Sequence, residues 1–539
     1  MSKFNTPDVK PTVHSPITTE NAPTGRTFEG GAGYARDAKS ELFLLAVTNM
    51  VGEKTFYESA DTRDTRFENL VHQVAIEDPD WTGRFIPWLR SEANMRSASL
   101  VAACEAVKAR LDAWHAVPAG GAIPVGLWAV HDGVNRRLID AACQRPDEPG
   151  ELLAYWTSRH GRKLPKPVKR GVADAAARLY SEFSLLKYDT ASKGYRFGDV
   201  IDLTHPSPDP NKARWQGDLF RHALDRRHGR DNDTPATLAT ILEHERLTAV
   251  PVDQRRAFLG RPDVRERLTH AGMTWEALAG WLQGPMDAQA WTAVIPSMGV
   301  MALARNLRNF DEAGVSDQVA ADVAAKLADP EQIARSRMFP FRFLAAYKHA
   351  PSLRWAYPLE QALGYSLANV PALKGRTLIL VDRSGSMFGG ISERSKLDRA
   401  DTAAIFGSAL ALRAENVDLV EFGTSSRRVE FGRGQSVLRV LEKFGNLGGT
   451  NTQAAVSSHY RAHDRVVIVT DEQAHYSGYG DVTAAVPAQV PVYTWNLAGY
   501  QYGHAPSGSK GRHTFGGLTD QAFRLIPLLE SGRDGDWPF

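Results

Sequence analysis

Cysteine is nearly absent from this sequence, because its 539 residues include only Cys104 and Cys143. Two cysteines exclude a disulfide framework and a zinc site built on cysteine. Long apolar runs are also missing: no stretch approaches the ~18 apolar residues of a membrane span. The first residues, MSKFNTPDVKPTVHSP, lack the apolar core of a signal peptide. We therefore expect a soluble, cytoplasmic protein without a membrane partner.

Neither sign of charge is in excess. Lys and Arg total 64, Asp and Glu total 62, and a division at Pro371 leaves both parts close to balance. A surface for nucleic acid must therefore be a local patch. The hydrophobic content of 43% and the charged content of 23% are those of a folded protein, and the length predicts roughly three or four structural units.

The first 370 residues predict a flexible arm followed by helices. Residues 1–30 are rich in Pro, Thr and Gly and lack apolar periodicity, which is typical of a loose arm. In residues 31–370, apolar residues recur at helical spacing between short breaks with Pro or Gly. Helix pairs in series favour an α-solenoid of the HEAT kind, although no clean sequence period is present. Examples of the helical segments are SELFLLAVTNMV, TPATLATILEHERL and QVAADVAAKLAD.

The pattern changes at Pro371, and residues 371–539 predict an α/β domain. The β-branched run TLILVD precedes a polar loop and the helical stretch KLDRADTAAIFGSALALRAE, and further strands are predicted at VDLVEF, RVVIVTD and VPVYTWNL. Strands that alternate with helices indicate a parallel, doubly wound, Rossmann-like sheet. Ligands of such sheets bind where the strands end, at the carboxyl edge.

Oxygen-bearing side chains are predicted at three places on that edge. Asp382, Ser384 and Ser386 follow the first strand as D-x-S-x-S, Thr450 lies in the loop GGTN before a helix, and Asp471 ends the strand RVVIVTD. Carboxylates and hydroxyls without nitrogen or sulfur ligands suit a hard cation, Mg²⁺ or Mn²⁺. The alternative is structural, with the aspartates capping helices and the serines completing a tight turn.

This set of five residues resembles the metal-ion-dependent adhesion site of von Willebrand factor A (vWA) domains, and the resemblance covers residues 371–539. It implies that the ion keeps an open position for a carboxylate or phosphate of a partner. Other sites of α/β sheets are not indicated, because the first strand is followed by neither G-x-G-x-x-G nor G-x-x-x-x-G-K-[ST], and G-x-S-x-G is absent at the two serines.

A basic segment without any Asp or Glu extends from Leu152 to Ala173. Uncompensated positive charge is suited to phosphates, but charge alone leaves open a solvated loop and first helical turn. A second basic run, between Lys212 and Arg230, is diluted by Asp218 and Asp225. The positive residues of the first segment are Arg159, Arg162, Lys163, Lys166, Lys169 and Arg170, with His160 among them.

Four ordered segments resemble the TROVE-domain proteins, the Ro ribonucleoproteins. The resemblance implies a ring of HEAT-like helical repeats that the vWA domain closes, with single-stranded ends of misfolded RNAs in its hole and small noncoding Y RNAs on its outer basic surface. The segments are KPVKRGVADAAARLYSEFSLLKY, YRFGDVIDLTHPSP, IPSMGVMALARNLRNF and RSRMFPFRFLAAYKHA.

The resemblance also implies a set of RNA-binding residues. Lys169 and Arg170 in VKRGVADA and His205 in DLTHP match positions associated with RNA contact, and Arg162, Lys163 and Lys166 extend that surface. His205 could instead cap the turn before Pro206. Arg305, Arg308, Arg337 and Arg342 are weaker candidates for the RNA path, since an arginine of a helical protein often pairs with a local carboxylate.

The main hypothesis is therefore a monomeric, non-enzymatic scaffold that binds small and misfolded RNAs in quality control or processing, and a ribonuclease tethered through the RNA would be a compatible partner. A vWA adaptor that captures an acidic protein partner through its metal, without a direct RNA role, is the alternative. A metal-dependent ribonuclease is a third possibility, but two aspartates are fewer than the clustered carboxylates of a two-metal nuclease.

Overall fold

The protein has two compact units, which a computed structural model describes for all but a few short segments. The helical unit comprises the described residues of 75–336 and 346–359, and the α/β unit those of 13–74, 337–345 and 360–539. The expected fold class, an all-α region followed by an α/β domain, is confirmed, whereas closure of the helices into a ring stays a prediction. The described residues are 13–49, 51–118, 121, 127, 133–350, 352–391, 397–476 and 480–539.

Helices of the helical unit begin and end with the expected local signals. Asp78 caps α3 by accepting from the amide of Trp81, and Pro79 occupies the first turn, where its missing N–H costs nothing. Close packing of α5 and α7 requires Gly171, since a Cβ there would lie 2.6 Å from the carbonyl oxygen of Arg136. None of the described helices is both long and apolar enough to cross a membrane. The helices are α3 (Pro79–Ser91), α4 (Arg96–His115), α5 (Val134–Ala142), α6 (Glu148–His160), α7 (Lys166–Leu179), α8 (Glu182–Tyr188), α9 (Phe197–Thr204), α10 (Ala213–His228), α11 (Ala239–Thr248), α12 (Arg255–Leu259), α13 (Val264–His270), α14 (Trp275–Leu282), α15 (Ala288–Val294), α16 (Val300–Glu312), α17 (Asp317–Leu327) and α18 (Pro330–Ser336).

The α/β unit contains a six-stranded sheet and a small three-stranded sheet. The strand order is β5-β4-β3-β6-β7-β9 in the first and β1-β2-β8 in the second. In the large sheet β5 alone is antiparallel to its neighbour. The strands are β1 (Gly25–Arg26), β2 (Ala32–Ala35), β3 (Leu373–Asp382), β4 (Ala414–Phe422), β5 (Ser426–Arg428), β6 (Arg465–Thr470), β7 (Val492–Asn496), β8 (Tyr502–Gly503) and β9 (Arg512–Gly516); the helices are α1 (Ala38–Thr48), α21 (Arg399–Arg413), α22 (Val437–Leu441), α23 (Thr452–His459) and α24 (Leu525–Glu530), and α2 (Ala60–Glu77), α19 (Pro340–His349) and α20 (Ala356–Tyr365) cross the division between the units.

Burial on both faces explains the apolar central strands. Leu380 of β3 lies opposite Val420 of β4 and Ile468 of β6, and all three side chains are fully buried. Such strands read as continuous apolar runs when helices cover both faces of a parallel sheet. Because β4, β3, β6, β7 and β9 run parallel, their carboxyl ends meet at one edge.

The prediction of a flexible arm over residues 1–30 is wrong for its described part, residues 13–30, while residues 1–12 lie outside the described residues. The amide of Ser15 donates to the carbonyl of Gly508 over 3.0 Å, and the Thr27 hydroxyl donates to the carbonyl of Ala474 over 2.7 Å. Residues 13–30 are therefore attached through hydrogen bonds of backbone and hydroxyl groups, which produce no apolar periodicity in the sequence.

The first helix also belongs to the α/β unit, so the expected boundaries at residues 30 and 370 do not coincide with the units. Helix α1 packs on β9, and its residues from Ser40 to Thr48 are all buried. The close approach of α1 to the loop after β7 depends on Gly499, where φ is +65° and a Cβ would lie 2.8 Å from the Cα of Leu45.

Replacement of His513 by Asn should remove part of the pH dependence of stability. Its Nδ1 lies 2.9 Å from the Ser15 hydroxyl, and burial, followed by the charge of Arg512, lowers the pKa of His513 to about 4. As the pH falls below about 6.5 the unfolded chain binds the proton first, so stability present at pH 7 is lost towards pH 4.

Between pH 7 and pH 5, protonation of His513 should lower the free energy of unfolding of the wild type by about 2 kcal/mol. Urea unfolding of the full chain at both pH values would measure it. The His513→Asn protein should lose about 2 kcal/mol less than the wild type, and equal losses would contradict the assignment.

Candidate metal centre and nucleic-acid interface

The carboxyl edge of the large sheet brings the predicted D-x-S-x-S residues together with the end of β6. The amide of Ser384 donates to Asp382 Oδ1 over 2.9 Å, and the hydroxyls of Ser384 and Ser386 lie 3.1 Å apart. The Thr470 hydroxyl donates to Asp382 Oδ2 over 2.6 Å. Thr470, which the sequence analysis did not select, thus orients Asp382; the available signal was its position directly before Asp471 in the predicted strand RVVIVTD.

The loop of Thr450 reaches the same edge through its backbone. The amide of Leu447 donates to the carbonyl of Arg383 over 2.9 Å, and the amide of His475 donates to the carbonyl of Thr450 over 3.0 Å. This loop is therefore bonded both to the D-x-S-x-S loop and to the loop after Asp471, and the structure brings all five predicted residues to one edge.

The electrostatics of the edge are those of two uncompensated carboxylates. Asp382 and Asp471 are fully buried. Burial raises the pKa of Asp382, and burial together with the adjacent Asp382 raises the pKa of Asp471 to about 7. The amide of Gln473 donates to Asp471 Oδ1 over 3.0 Å, whereas Oδ2 is buried without a hydrogen-bond partner.

A divalent cation fits this donor set. It would compensate the repulsion between the two carboxylates, occupy the orphaned Oδ2 of Asp471, and find further hydroxyl oxygens from Ser384, Ser386 and Thr450. A purely structural role as turn and cap residues leaves that buried oxygen unexplained, since buried polar atoms are nearly always paired.

Buried arginines surround the edge but are engaged with other acceptors. Arg36 pairs with Glu472, and Arg63 lies 3.1 Å from Glu58 and donates to the carbonyl of Ala498 over 2.6 Å. Arg399 is close enough to lower the pKa of Asp471, but its Nε donates to the carbonyl of Leu497 over 3.2 Å. Residues 13–74 thus supply part of the surrounding charge, which no local sequence pattern indicated.

Five positive side chains of the predicted basic segment have no carboxylate within ion-pair distance among the described residues. Lys166, Lys169 and Arg170 lie in the first two turns of α7, which has no acidic residue in its first turn. Only Lys169 is half-buried and the others are exposed. We call these five residues the basic surface: Arg162, Lys163, Lys166, Lys169 and Arg170.

Neighbouring basic residues are paired and lie outside this surface. His160 Nε2 lies 2.8 Å from Glu105. In the second basic run, Arg227 lies 2.7 Å from Asp199 and Arg230 lies 3.4 Å from Asp225, which agrees with the weaker expectation for that run.

The four weaker candidates do not form one group. Arg308 pairs with Glu312 over 2.7 Å, whereas Arg305 is exposed and has no ion pair within the described residues. The guanidinium of Arg342 lies 5.3 Å above the ring of Phe341. Arg337 and Arg342 fall in the α/β unit rather than the helical unit.

His205 is the C-cap of α9 and has a left-handed backbone, with φ at +50°. The backbone role considered for it from sequence is thus present, while its side chain is exposed. Tyr180 at the end of α7 stacks on Phe197 at the start of α9, with ring centroids 3.8 Å apart. The end of α7 therefore contacts the start of α9, the helix that ends at His205.

Comparisons with known proteins agree with this architecture. Residues 240–355 match the family model of the TROVE domain. The crystal structure of the Ro (RSR) protein of Deinococcus radiodurans is similar with a TM-score of 0.59 and 18% sequence identity, over 92% of this chain and 100% of that chain. No curated protein matches the sequence. The resemblance inferred from the four ordered segments is therefore confirmed at the level of the fold: residues 240–355 match the TROVE domain, and the chain has the fold of a bacterial Ro protein.

Proposed function

We propose that this chain is an RNA-binding scaffold that holds small Y-type noncoding RNAs and the single-stranded ends of misfolded RNAs in the cytoplasm. The observation that carries the proposal is the basic surface, whose five side chains have no carboxylate partner among the described residues. Other exposed arginines of the helical unit are instead paired locally: Arg246 pairs with Glu243, and Arg261 pairs with Asp263. Unpaired positive charge lowers the free energy of phosphate binding because no internal ion pair must first be broken.

We further propose that Asp382, Ser384, Ser386, Thr450 and Asp471 hold one Mg²⁺ or Mn²⁺. The ion would supply positive charge to two buried carboxylates and fix the three loops at the carboxyl edge. No catalytic step is proposed for it, since no cluster of three or more His, Cys, Asp or Glu side chains suited to a metal is found among the described residues and a two-metal nuclease needs such a cluster.

An adaptor that captures an acidic protein through the metal is the competing function. RNA copurification separates the two: nuclease-sensitive absorbance near 260 nm in protein isolated from cells supports the scaffold. Protein that is free of RNA, and that fails to bind added RNA at low salt, would contradict it.

Asp382→Asn should abolish tight binding of Mn²⁺ and leave RNA affinity within about threefold of the wild type. The amide keeps the shape of the buried side chain but removes one of the two charges that the ion compensates. Calorimetric titration with Mn²⁺ and a filter-binding titration with RNA measure the two properties. A large loss of RNA affinity in a folded, metal-free variant would argue against RNA recognition by the helical unit.

Replacing both Lys169 and Arg170 by Ala should weaken RNA binding and flatten its salt dependence. Each lost phosphate contact lowers the slope of log K against log salt by about 0.7 for single strands to 0.9 for duplexes, so the expected change is roughly 1.5 to 2. Different RNAs should be affected alike, because phosphate contacts carry little sequence information.

The matched control replaces Arg246 and Arg261 by Ala, which removes two exposed, locally paired charges from the same unit. Its slope should stay near that of the wild type. His205→Asn tolerates the left-handed backbone and should lower affinity without changing the slope, since the contact that is lost is a hydrogen bond or a base-stacking contact. Equal slopes for the wild type and the Lys169/Arg170 variant would remove these two residues from the RNA surface.

A further inference from the structure

None of the five side chains proposed as metal ligands is accessible from solvent. Asp382 and Asp471 are 0% exposed, Ser384 is 1% exposed, Thr450 is 2% exposed and Ser386 is 4% exposed. A site that receives a carboxylate from another protein needs an approach from outside. Within the part of the chain that the structure describes, the conformation leaves these side chains buried, so the residues that cover the site decide what reaches the ion.

Tyr57 and Glu29 form part of that cover. Tyr57 is close enough to Ser386 and Asp471 for both to influence the pKa of its hydroxyl, and this hydroxyl donates to Glu29 Oε1. Glu29 Oε2 lies 3.2 Å from Nδ1 of His475. The carboxylate of Glu29 is therefore held one side chain away from a proposed metal ligand.

Aromatic packing keeps Tyr57 over the edge. Its ring stacks on Phe28 with 5.0 Å between centroids and parallel planes, and the buried Tyr500 contacts both rings edge-on at 5.4 and 5.6 Å. A ring held on two sides cannot leave the edge by rotation of its own side chain alone.

The segment that carries Glu29 is fastened to the loop that follows Asp471. The amide of Phe28 donates to the Gln473 side chain over 2.8 Å, and the amide of Gly31 donates to the carbonyl of Ala474 over 3.2 Å. Gly30 forms an antiparallel bridge with His475. Removal of the cover therefore requires separation of residues 28–31 from residues 473–475.

We propose that Tyr57 and Glu29 determine which ligands reach the metal, by covering its open face from within the chain and excluding carboxylates. The Tyr57 hydroxyl occupies the approach beside Ser386, and the negative charge of Glu29 repels a second carboxylate. This inference rests on the proposed metal site and gives that site a specificity, in which a small neutral ligand such as water is favoured over the carboxylate of an acidic partner.

Full-length protein loaded with Mn²⁺ tests the proposal, with acetate as the carboxylate probe. Water-proton relaxation reports the exchangeable water on Mn²⁺, and acetate that displaces water lowers it. The variants are Tyr57→Ala, which opens the approach, and Glu29→Gln, which removes the charge while keeping the shape. Tyr476→Ala and Glu20→Gln are the matched controls, because both side chains are exposed and neither bonds to Tyr57 or Glu29 among the described residues.

Acetate should bind the two test variants about tenfold or more tightly than it binds the wild type, as expected when a blocking group or a nearby like charge is removed. The controls should behave as the wild type. Equal acetate affinity in all proteins would overturn the proposed cover while leaving the metal site standing. A wild type that binds Mn²⁺ no better than Asp382→Asn would instead refute the metal site and, with it, the inference.

Discussion

Two carboxylates buried side by side at the carboxyl edge of the sheet impose the main constraint on the α/β unit. Asp382 and Asp471 are removed from water, and each raises the cost of ionising the other. The nearby cations do not resolve this conflict, because Arg36 is bound to Glu472 and Arg63 to Glu58. A bound cation, as proposed above, would compensate the two buried carboxylates.

The positive side chains of the helical unit fall into two groups, one paired with buried carboxylates and one exposed without a carboxylate partner among the described residues. A buried network uses positive charge for structure: Glu148, which is fully buried, lies 2.7 Å from Arg90 and 2.9 Å from Arg96. The basic surface at the start of α7 has no such partners among the described residues. The near-neutral composition of the chain therefore conceals two populations of arginine and lysine, one that holds helices together and one that is available to a polyanion.

The sequence predicted those features that depend on local pattern. The strands at TLILVD and RVVIVTD were recognised because burial on both faces selects continuous β-branched residues, and Asp382 and Asp471 could be placed together because parallel strands end at one edge. The basic surface was visible because its acid-free stretch is continuous in sequence.

The remainder depends on contacts between distant residues. Residues 13–30 read as a loose arm because their attachment uses backbone and hydroxyl groups, which leave no periodicity, and their partners are hundreds of positions away. No sequence motif marks Glu29 and Tyr57 for the same reason: the role proposed for them follows only from their proximity to His475 and Ser386 in the folded chain. The ion pair between Arg227 and Asp199 likewise joins two different helices. The sequence of the second basic run alone therefore could not show that the charge of Arg227 is already paired.

The attachment of residues 13–48 to the end of the chain has a consequence for biosynthesis. Thr27 and its acceptor Ala474 are separated by 447 positions, which takes about 20 to 90 s to translate at roughly 5–20 residues per second. During that interval α1, which is buried from Ser40 to Thr48 in the finished protein, has no sheet to cover it, so the nascent chain exposes an apolar helix that is prone to aggregation. Folding of the α/β unit must therefore wait until β9 has been translated, and a ribosome that stalls before β9 would leave α1 without its sheet.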